Sequence, residues 1–206
     1  MAYQLPVTIH THTMGSGVVH IEYPSISGPV QPQVAHQINQ TIVHLVNWML
    51  EQQKKTQSGT LSQMLGHYEI KTNERGILSL TLNNYAYSTP MAHGFTILKS
   101  LTFDVNTGKL YELQDLFKPG SNYVEVISKQ VSQQLKQRDL PLLDGFTSIH
   151  PNQDYYLADK ALVIYFQLYE ITPYFVGFPM FPISVYDLIS IAVEPGPLPT
   201  LSADTV

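Results

Sequence analysis

The sequence contains no cysteine among its 206 residues, and this absence excludes several kinds of chemistry at once. Without cysteine the chain forms no disulfide, supplies no thiolate nucleophile and offers no sulfur ligand to zinc. A chain of this length buries about 70% of the surface of its unfolded form, so it needs no such cross-link. The missing cysteine assigns no cellular compartment, because a core of this size is stable in either redox environment.

Charged residues and long apolar runs are also scarce. Charged residues make up 13% of the chain, and the net charge is −5 with histidine neutral. No basic stripe is present to neutralise phosphates, which argues against a nucleic-acid partner. No segment reaches the roughly 18 consecutive apolar residues of a membrane-spanning helix. Residues 1–6 lack the charged and then apolar pattern of a signal peptide, so we expect none in this sequence.

The familiar sequence motifs of enzymes are missing as well. The chain has no Gly-x-Ser-x-Gly elbow, no His-Glu-x-x-His, no phosphate-binding loop and no dinucleotide-binding glycine pattern. Its carboxylates show no spacing that singles out a pair for glycoside cleavage. The sequence therefore predicts a protein that is not an enzyme and that binds no cofactor.

Hydrophobic patterning predicts strand pairs interspersed with two long helices. Gln33–Lys55 carries an apolar stripe at helical spacing, and Asn122 with a glutamate three residues later resembles a capping box that opens the second helix. The predicted stripe of the first helix consists of Val34, Ile38, Ile42, Leu45 and Met49. Strands are predicted at 5–13, 18–23, 67–73, 77–87, 95–105, 154–158, 162–168 and 183–193, and Tyr186-Asp187 can form a turn within the last of these.

Because the strand pairs read as hairpins and not as βαβ crossovers, the predicted class is α+β with antiparallel sheets. Each half carries strands and one long helix, which predicts two interlocked sub-units. We place the N-terminal unit at residues 1–90 and the C-terminal unit at residues 91–194. Residues 195–206, rich in proline, form the predicted extended and flexible tail.

Three histidines near the N-terminus offer the only pattern suited to a metal. His10 and His12 share one face of a predicted strand, and His20 on the partner strand could approach them. Three imidazoles with a water would complete a tetrahedral zinc site. The face alternates with an apolar one, so a solvated polar face is the preferred interpretation, and we predict no metal.

His93 lies between an alanine and a glycine at a predicted strand entrance. Histidine beside glycine can approach a ligand closely, and loops carry a disproportionate share of function. The alternative is a structural histidine that bonds a nearby backbone carbonyl.

Aromatic residues are concentrated late in the chain, where residues 155–186 hold ten of the 22. Within a broken stretch there, Tyr174, Phe175 and Phe178 could form a recognition surface, with Tyr169 and Glu170 in support. Core packing is the alternative use of these side chains.

Several of these segments together resemble a known domain type. They are Tyr85-Ala-Tyr87, Ala92-His93, Thr102-Phe103-Asp104 with Thr107-Gly108-Lys109, Leu113-Gln-Asp-Leu-Phe117, and Tyr169-Glu-Ile-Thr-Pro-Tyr174 with Gly177. The chain resembles, over most of residues 5–193, the extracellular domain of RsiV-type anti-sigma factors, membrane proteins that sense lysozyme. A similar domain precedes the catalytic domain of PdaC-type peptidoglycan deacetylases. Where family members often show Gly-Gly before Ala-His, this chain has Pro90-Met91.

The resemblance implies a non-enzymatic bacterial binding or sensing module of extracytoplasmic type. Its implied partner is a lysozyme-like protein or a cell-wall glycan, and the mildly acidic balance agrees with a cationic partner. The sequence shows neither a membrane helix, a sigma-binding segment nor a deacetylase domain, so signal relay and deacetylation are not expected of it. Two alternatives stay open: a cell-wall glycan hydrolase with a histidine metal site, and a leaderless intracellular protein.

Overall fold

A computed structural model describes residues 5–203 of the chain. Its contacts divide the chain into two compact units, residues 1–109 and 110–206. Most of the segment considered for a signal peptide, residues 1–4, and the last three residues of the predicted tail lie outside the described residues.

The first unit is built on a five-stranded sheet with the strand order β1-β2-β3-β4-β5. All neighbours are antiparallel except β2 and β3, which pair in parallel over three residues only. The strands are β1 (Thr8–Met14), β2 (Val19–Ser27), β3 (Thr60–Glu74), β4 (Ile77–Thr89) and β5 (Phe95–Asp104). Strand β5, which the predicted division at residue 90 assigns to the second unit, thus pairs within the sheet of the first.

Helix α1 (Pro32–Thr56) covers one face of this sheet, as the apolar stripe predicts. Its buried side chains recur at spacings of three and four, and Val46 takes the place predicted for Leu45. They pack in one cluster with Leu80 and Phe103 of the sheet, both fully buried. Each such side chain contributes roughly 1.5–3 kcal/mol relative to an exposed one, which fixes the helix on the sheet.

Asp104 and Gly108 shape the turn after β5. The carboxylate Oδ1 of Asp104 accepts hydrogen bonds from the backbone N–H of Asn106 at 2.8 Å and of Thr107 at 3.3 Å. Gly108 adopts a φ of 78°, a left-handed conformation that costs glycine little. Asp104 therefore shapes the turn, a role that Asp takes commonly by bonding nearby backbone amides.

The second unit combines a three-stranded antiparallel sheet of order β6-β7-β8 with helix α2. Its elements are α2 (Tyr123–Gln137), β6 (Tyr155–Ala158), β7 (Ala161–Tyr165), β8 (Met180–Ser184) and the short helix α3 (Pro197–Ser202). Helix α2 buries Ile127, Val131 and Leu135. It is also tied to β8, because Gln134 Nε2 donates to Pro182 O at 2.8 Å. The predicted α+β class, with two long helices, is confirmed.

Three local predictions for the second unit are wrong. The strand predicted at residues 183–193 ends at Ser184. The turn predicted at Tyr186-Asp187 is present as the 3₁₀ helix Val185–Asp187, and a second 3₁₀ helix, Ile189–Ile191, replaces the rest of the strand. Leu188, between the two, is fully buried. Asn122 precedes α2 without a side-chain bond to its backbone.

The third wrong prediction is the extended tail. Part of this segment forms α3 and buries Leu198 and Leu201 completely. Burial of two leucines outweighs the proline content, since proline is tolerated in a first helical turn. Within residues 5–203 no helix combines the length and the apolar character needed to cross a membrane.

Candidate functional site

The predicted site residues fall in both units, and the structure describes them unit by unit. His93 belongs to the first unit; Tyr169, Glu170, Tyr174, Phe175 and Phe178 belong to the second.

His93 lies in the connection between β4 and β5, directly before the strand that it was predicted to enter. The side chain is exposed, and its Nδ1 donates to the backbone carbonyl of Gly94 at 2.9 Å. Gly94 itself is buried, and a Cβ there would lie 2.2 Å from the ring of Tyr85. The glycine therefore serves packing, and the histidine shows the carbonyl bond of the structural alternative while its ring stays accessible.

In the second unit, the segment that follows β7 turns sharply at Tyr169. This residue has a φ of 65°, a left-handed conformation that bulky side chains seldom adopt. Such strain costs about 1–3 kcal/mol and persists only where the surroundings enforce it. At Tyr169 the turn presents the ring outward, 48% exposed, with its centroid 5.5 Å from that of Tyr174.

Hydrogen bonds of the neighbouring Glu170 hold the turn at Tyr169 in place. Its Oε2 accepts a hydrogen bond from the backbone N–H of Gln167 at 2.6 Å, and its Oε1 accepts one from Gln153 Nε2 at 2.9 Å. The backbone N–H of Glu170 in turn donates to Gln167 O at 3.1 Å. Glu170 is thus exposed to solvent yet fixed in position, which makes it a preorganised carboxylate beside the two tyrosines.

Gln153 is the buried centre of this network, and the sequence analysis missed it. Its Nε2 also donates to Tyr165 O at 3.1 Å, and its Oε1 accepts from the backbone N–H of His150 at 3.2 Å. The side chain is almost fully buried. A single glutamine outside any motif carries no signal in the sequence, since only its burial distinguishes it from a surface residue.

Phe175 is the most exposed large hydrophobic residue of the described chain, at 79%. It sits in a one-turn 3₁₀ helix, Tyr174–Val176, which Pro173 precedes and Gly177 ends with a φ of 76°. Phe178, two residues after the turn, is half-buried. The predicted core-packing alternative therefore does not apply to Phe175, whose ring faces solvent.

A second segment adds to this surface. The backbone N–H of Leu143 donates to Ile171 O at 3.0 Å, and Leu143 is 47% exposed. The next residue, Asp144, is exposed as well. The backbone bond brings together two segments with exposed apolar side chains, and we call Leu143, Tyr169, Tyr174 and Phe175 of these segments the aromatic patch. Asp144 and Glu170 are exposed neighbours in sequence of Leu143 and Tyr169. Leu143 was missed because the contact joins segments 28 residues apart.

Charge is distributed unequally between the two units. Residues 1–109 hold six basic and five acidic residues, a net charge of +1, whereas residues 110–206 hold five basic and eleven acidic residues, a net charge of −6. The whole negative excess of the chain therefore belongs to the unit that carries the aromatic patch.

The three N-terminal histidines do not converge on one point. His10 Nε2 is bonded to Ser27 Oγ and His12 Nε2 to Ser25 Oγ, each at 2.7 Å, while His20 lies 3.5 Å from Glu22. The strand register places Tyr23 opposite His12. Among residues 5–203, no group of three His, Cys, Asp or Glu side chains is arranged to hold a metal ion.

Comparison with known proteins agrees with this architecture. Residues 114–186 match the model of a family described as "Protein of unknown function (DUF3298)". The chain is 29% identical over 181 residues to the anti-sigma-V factor RsiV of Bacillus subtilis strain 168, in a match that covers 80% of this chain. The resemblance to the RsiV-type family is confirmed. The chain spans 62% of the length of that relative. The relative is named as a regulatory factor and not as an enzyme, which agrees with the prediction of a non-enzymatic protein.

Two solved structures share the fold. A DUF3298-family protein of Bacteroides fragilis superposes with a TM-score of 0.71 at 13% identity and covers 97% of this chain and 99% of its own. A second, from Pseudomonas aeruginosa PAO1, gives a TM-score of 0.69 at 16% identity and covers 98% and 99%. At these identities the likeness concerns the fold.

Proposed function

We propose that this chain is a non-enzymatic, extracytoplasmic sensing module that binds a cationic, lysozyme-like protein through the aromatic patch of its second unit. The similarity to an anti-sigma factor supports a sensing role. The partner and the binding residues are our own assignment, and they rest on the chemistry of the second unit.

The observation that carries the proposal is the exposure of the aromatic patch. Aromatic side chains dominate the energetics of protein interfaces, and a free protein gains nothing by holding Phe175 in water at 79% exposure. Part of the patch is preorganised, because the bonds of Glu170 hold the turn at Tyr169. A preorganised patch loses little conformational freedom on binding, so more of its contact energy appears as affinity.

The charge of the second unit supports a cationic partner. A net charge of −6 on residues 110–206 attracts a basic protein and speeds its encounter. Two exposed carboxylates, Asp144 and Glu170, adjoin Leu143 and Tyr169 in sequence. Attraction of this kind weakens with ionic strength, since the Debye length falls from about 30 Å at 0.01 M salt to about 10 Å at 0.1 M.

Calorimetric titration of the full chain with lysozyme at low and moderate salt tests the proposal. We expect saturable binding at both salt concentrations, weaker at the higher one, and a melting temperature that rises with lysozyme concentration. An absence of heat together with an unchanged melting temperature would remove lysozyme as the partner. His93 remains a predicted contact from the first unit, and His93→Ala in the same titration tests it.

A further inference from the structure

Helix α1 turns an unusual surface to solvent. Residues 23–50, which include the first five turns of α1, contain no charged side chain, and the next charge is Glu51. Exposed helix faces ordinarily carry charged residues opposite their apolar stripe. Here amides, imidazoles and hydroxyls take their place.

The exposed face is organised in rows. His36, Gln40, His44 and Trp48 follow one another at spacings of four, so their side chains form one ridge about 18 Å long. The indole of Trp48 ends this ridge, 40% exposed, with Lys99 Nζ 6.0 Å from the ring centroid. Asn47 stands beside Trp48 in the adjacent row.

A shallow open groove of about 670 Å³ runs along this face, and its lining extends from His36 to Asn47. All of its lining residues lie on α1, so a ligand would rest on an open surface and not in an enclosed cavity. Asn39, at one side of the groove, is already engaged, because its side chain bonds the backbone N–H and C=O of Ile26 at 2.7 and 3.0 Å. The groove thus has a fixed border toward β2.

The polar groups of this helix face are available to a ligand. The side chains of His36, Gln40, His44 and Asn47 make no hydrogen bond to any other residue within 5–203. Each amide offers both a carbonyl acceptor and N–H donors, and a neutral imidazole offers one of each. Such a surface complements an uncharged ligand that is rich in hydroxyl and amide groups and long enough to contain several monomers.

We infer that the outer face of α1 is a binding site for a neutral oligosaccharide that carries acetamido groups. Gln40, His44 and Asn47 would exchange hydrogen bonds with hydroxyl and acetamido groups, and the face of Trp48 would stack against the apolar side of a sugar ring. The lack of charge over residues 23–50 favours a neutral glycan along the ridge, with Lys99 beside Trp48 at one end. This site lies in the first unit and does not rest on the function proposed above.

The chain contains one tryptophan, so its tryptophan emission, excited selectively over that of the tyrosines, reports on Trp48 alone. We would titrate the full chain with tetra-N-acetylchitotetraose and follow tryptophan emission together with backbone amide shifts. The expected result is a saturable emission change with shifts concentrated between residues 36 and 51. Gln40→Ala and Asn47→Ala should each weaken binding about threefold to tenfold, the usual effect of one lost hydrogen bond.

Gln63→Ala is the matched control, because it removes an exposed amide from β3 in the same unit. It should leave binding and melting temperature unchanged. The inference is overturned if the tetrasaccharide produces no saturable change, if the shifts cluster outside α1, or if Gln63→Ala weakens binding as much as Gln40→Ala. Partial N-deacetylation of the probe, which makes it cationic, should reduce binding; equal binding would contradict the neutral specificity.

Discussion

Replacement of Phe175 by alanine tests the proposed recognition surface most directly. Because the ring is 79% exposed and sits in a turn closed by backbone bonds, its removal costs the free protein little. We expect the free energy of unfolding to change by no more than about 0.5 kcal/mol, as is usual for surface substitutions. Any loss of binding then reflects the surface and not the stability of the fold.

The size of the expected loss follows from the exposed area. A phenylalanine side chain presents on the order of 200 Å², of which 79% leaves about 160 Å² to be buried by a partner. At roughly 25 cal/mol per Å² this area corresponds to about 4 kcal/mol, an upper bound because interfaces recover only part of it. Alanine also retains some contact. We therefore expect a loss of about 2 kcal/mol, a roughly thirtyfold weaker affinity for lysozyme.

Tyr186→Ala is the matched control for this experiment. Tyr186 is an aromatic residue of the same unit at 52% exposure, bonded by Lys160 Nζ at 2.8 Å and outside the aromatic patch. Both variants would be compared with the unaltered chain by calorimetry at one salt concentration. Full affinity in Phe175→Ala, or an equal loss in Tyr186→Ala, would refute the assignment of the patch even if lysozyme binds.

Three further substitutions test hydrogen bonds and the turn at Tyr169 in the second unit. Gln153→Leu removes three hydrogen bonds, one of them to the Glu170 carboxylate, and should lower the free energy of unfolding by at least about 3 kcal/mol in urea denaturation; a loss below 1 kcal/mol would contradict its role. Tyr169→Gly relieves a left-handed φ worth about 1–2 kcal/mol but loses a ring contact worth about 0.5–1.5, so stability should stay within 1 kcal/mol while lysozyme affinity falls. Tyr123→Phe removes a hydrogen bond to Pro151 O, at a cost of about 1 kcal/mol. Burial raises the pKa of Tyr123, so the folded state favours the neutral phenol. The resulting contribution to the free energy of unfolding is present below pH about 10 and is lost as the pH rises through the raised pKa. The decline in stability above pH about 10 should therefore be shallower in Tyr123→Phe than in the unaltered chain, and equal declines would refute this role of Tyr123.

Elements with strong periodicity were predictable from the sequence. The stripe of α1 recurs over 25 residues, and the turn at Asp104 combines an aspartate with a glycine whose φ is positive. Both signals are local, because the residues that determine the structure lie within a few positions of each other. The strand predicted at residues 183–193 failed because alternation over so short an apolar run does not separate a strand from 3₁₀ turns that bury the same leucine.

The candidate site was predictable only in part. Tyr174 and Phe175 stand in a segment broken by proline and glycine, which marks a loop, but their exposure depends on what packs beside them. Leu143 reaches that loop through a bond to Ile171, and Gln153 reaches it through Glu170, across 28 and 17 residues respectively. Contacts of this separation follow from tertiary packing and leave no pattern in a single sequence.

The unequal charge of the two units shows how a domain boundary can conceal a functional signal. With a boundary at residue 90, Lys99 and Lys109 count with the C-terminal unit, and the two predicted units carry net charges of 0 and −4. The structure places β5 and its following turn in the first sheet, so both lysines move to the first unit. Asp104 moves with them, and Asp204 of the predicted tail is now counted with the second unit, so the charges become +1 and −6. The predicted boundary already makes the C-terminal unit the acidic one, and the boundary found in the structure widens the difference in net charge between the units from 4 to 7. Because an electrostatic preference belongs to a compact surface, this wider contrast strengthens the case for a basic partner of the second unit.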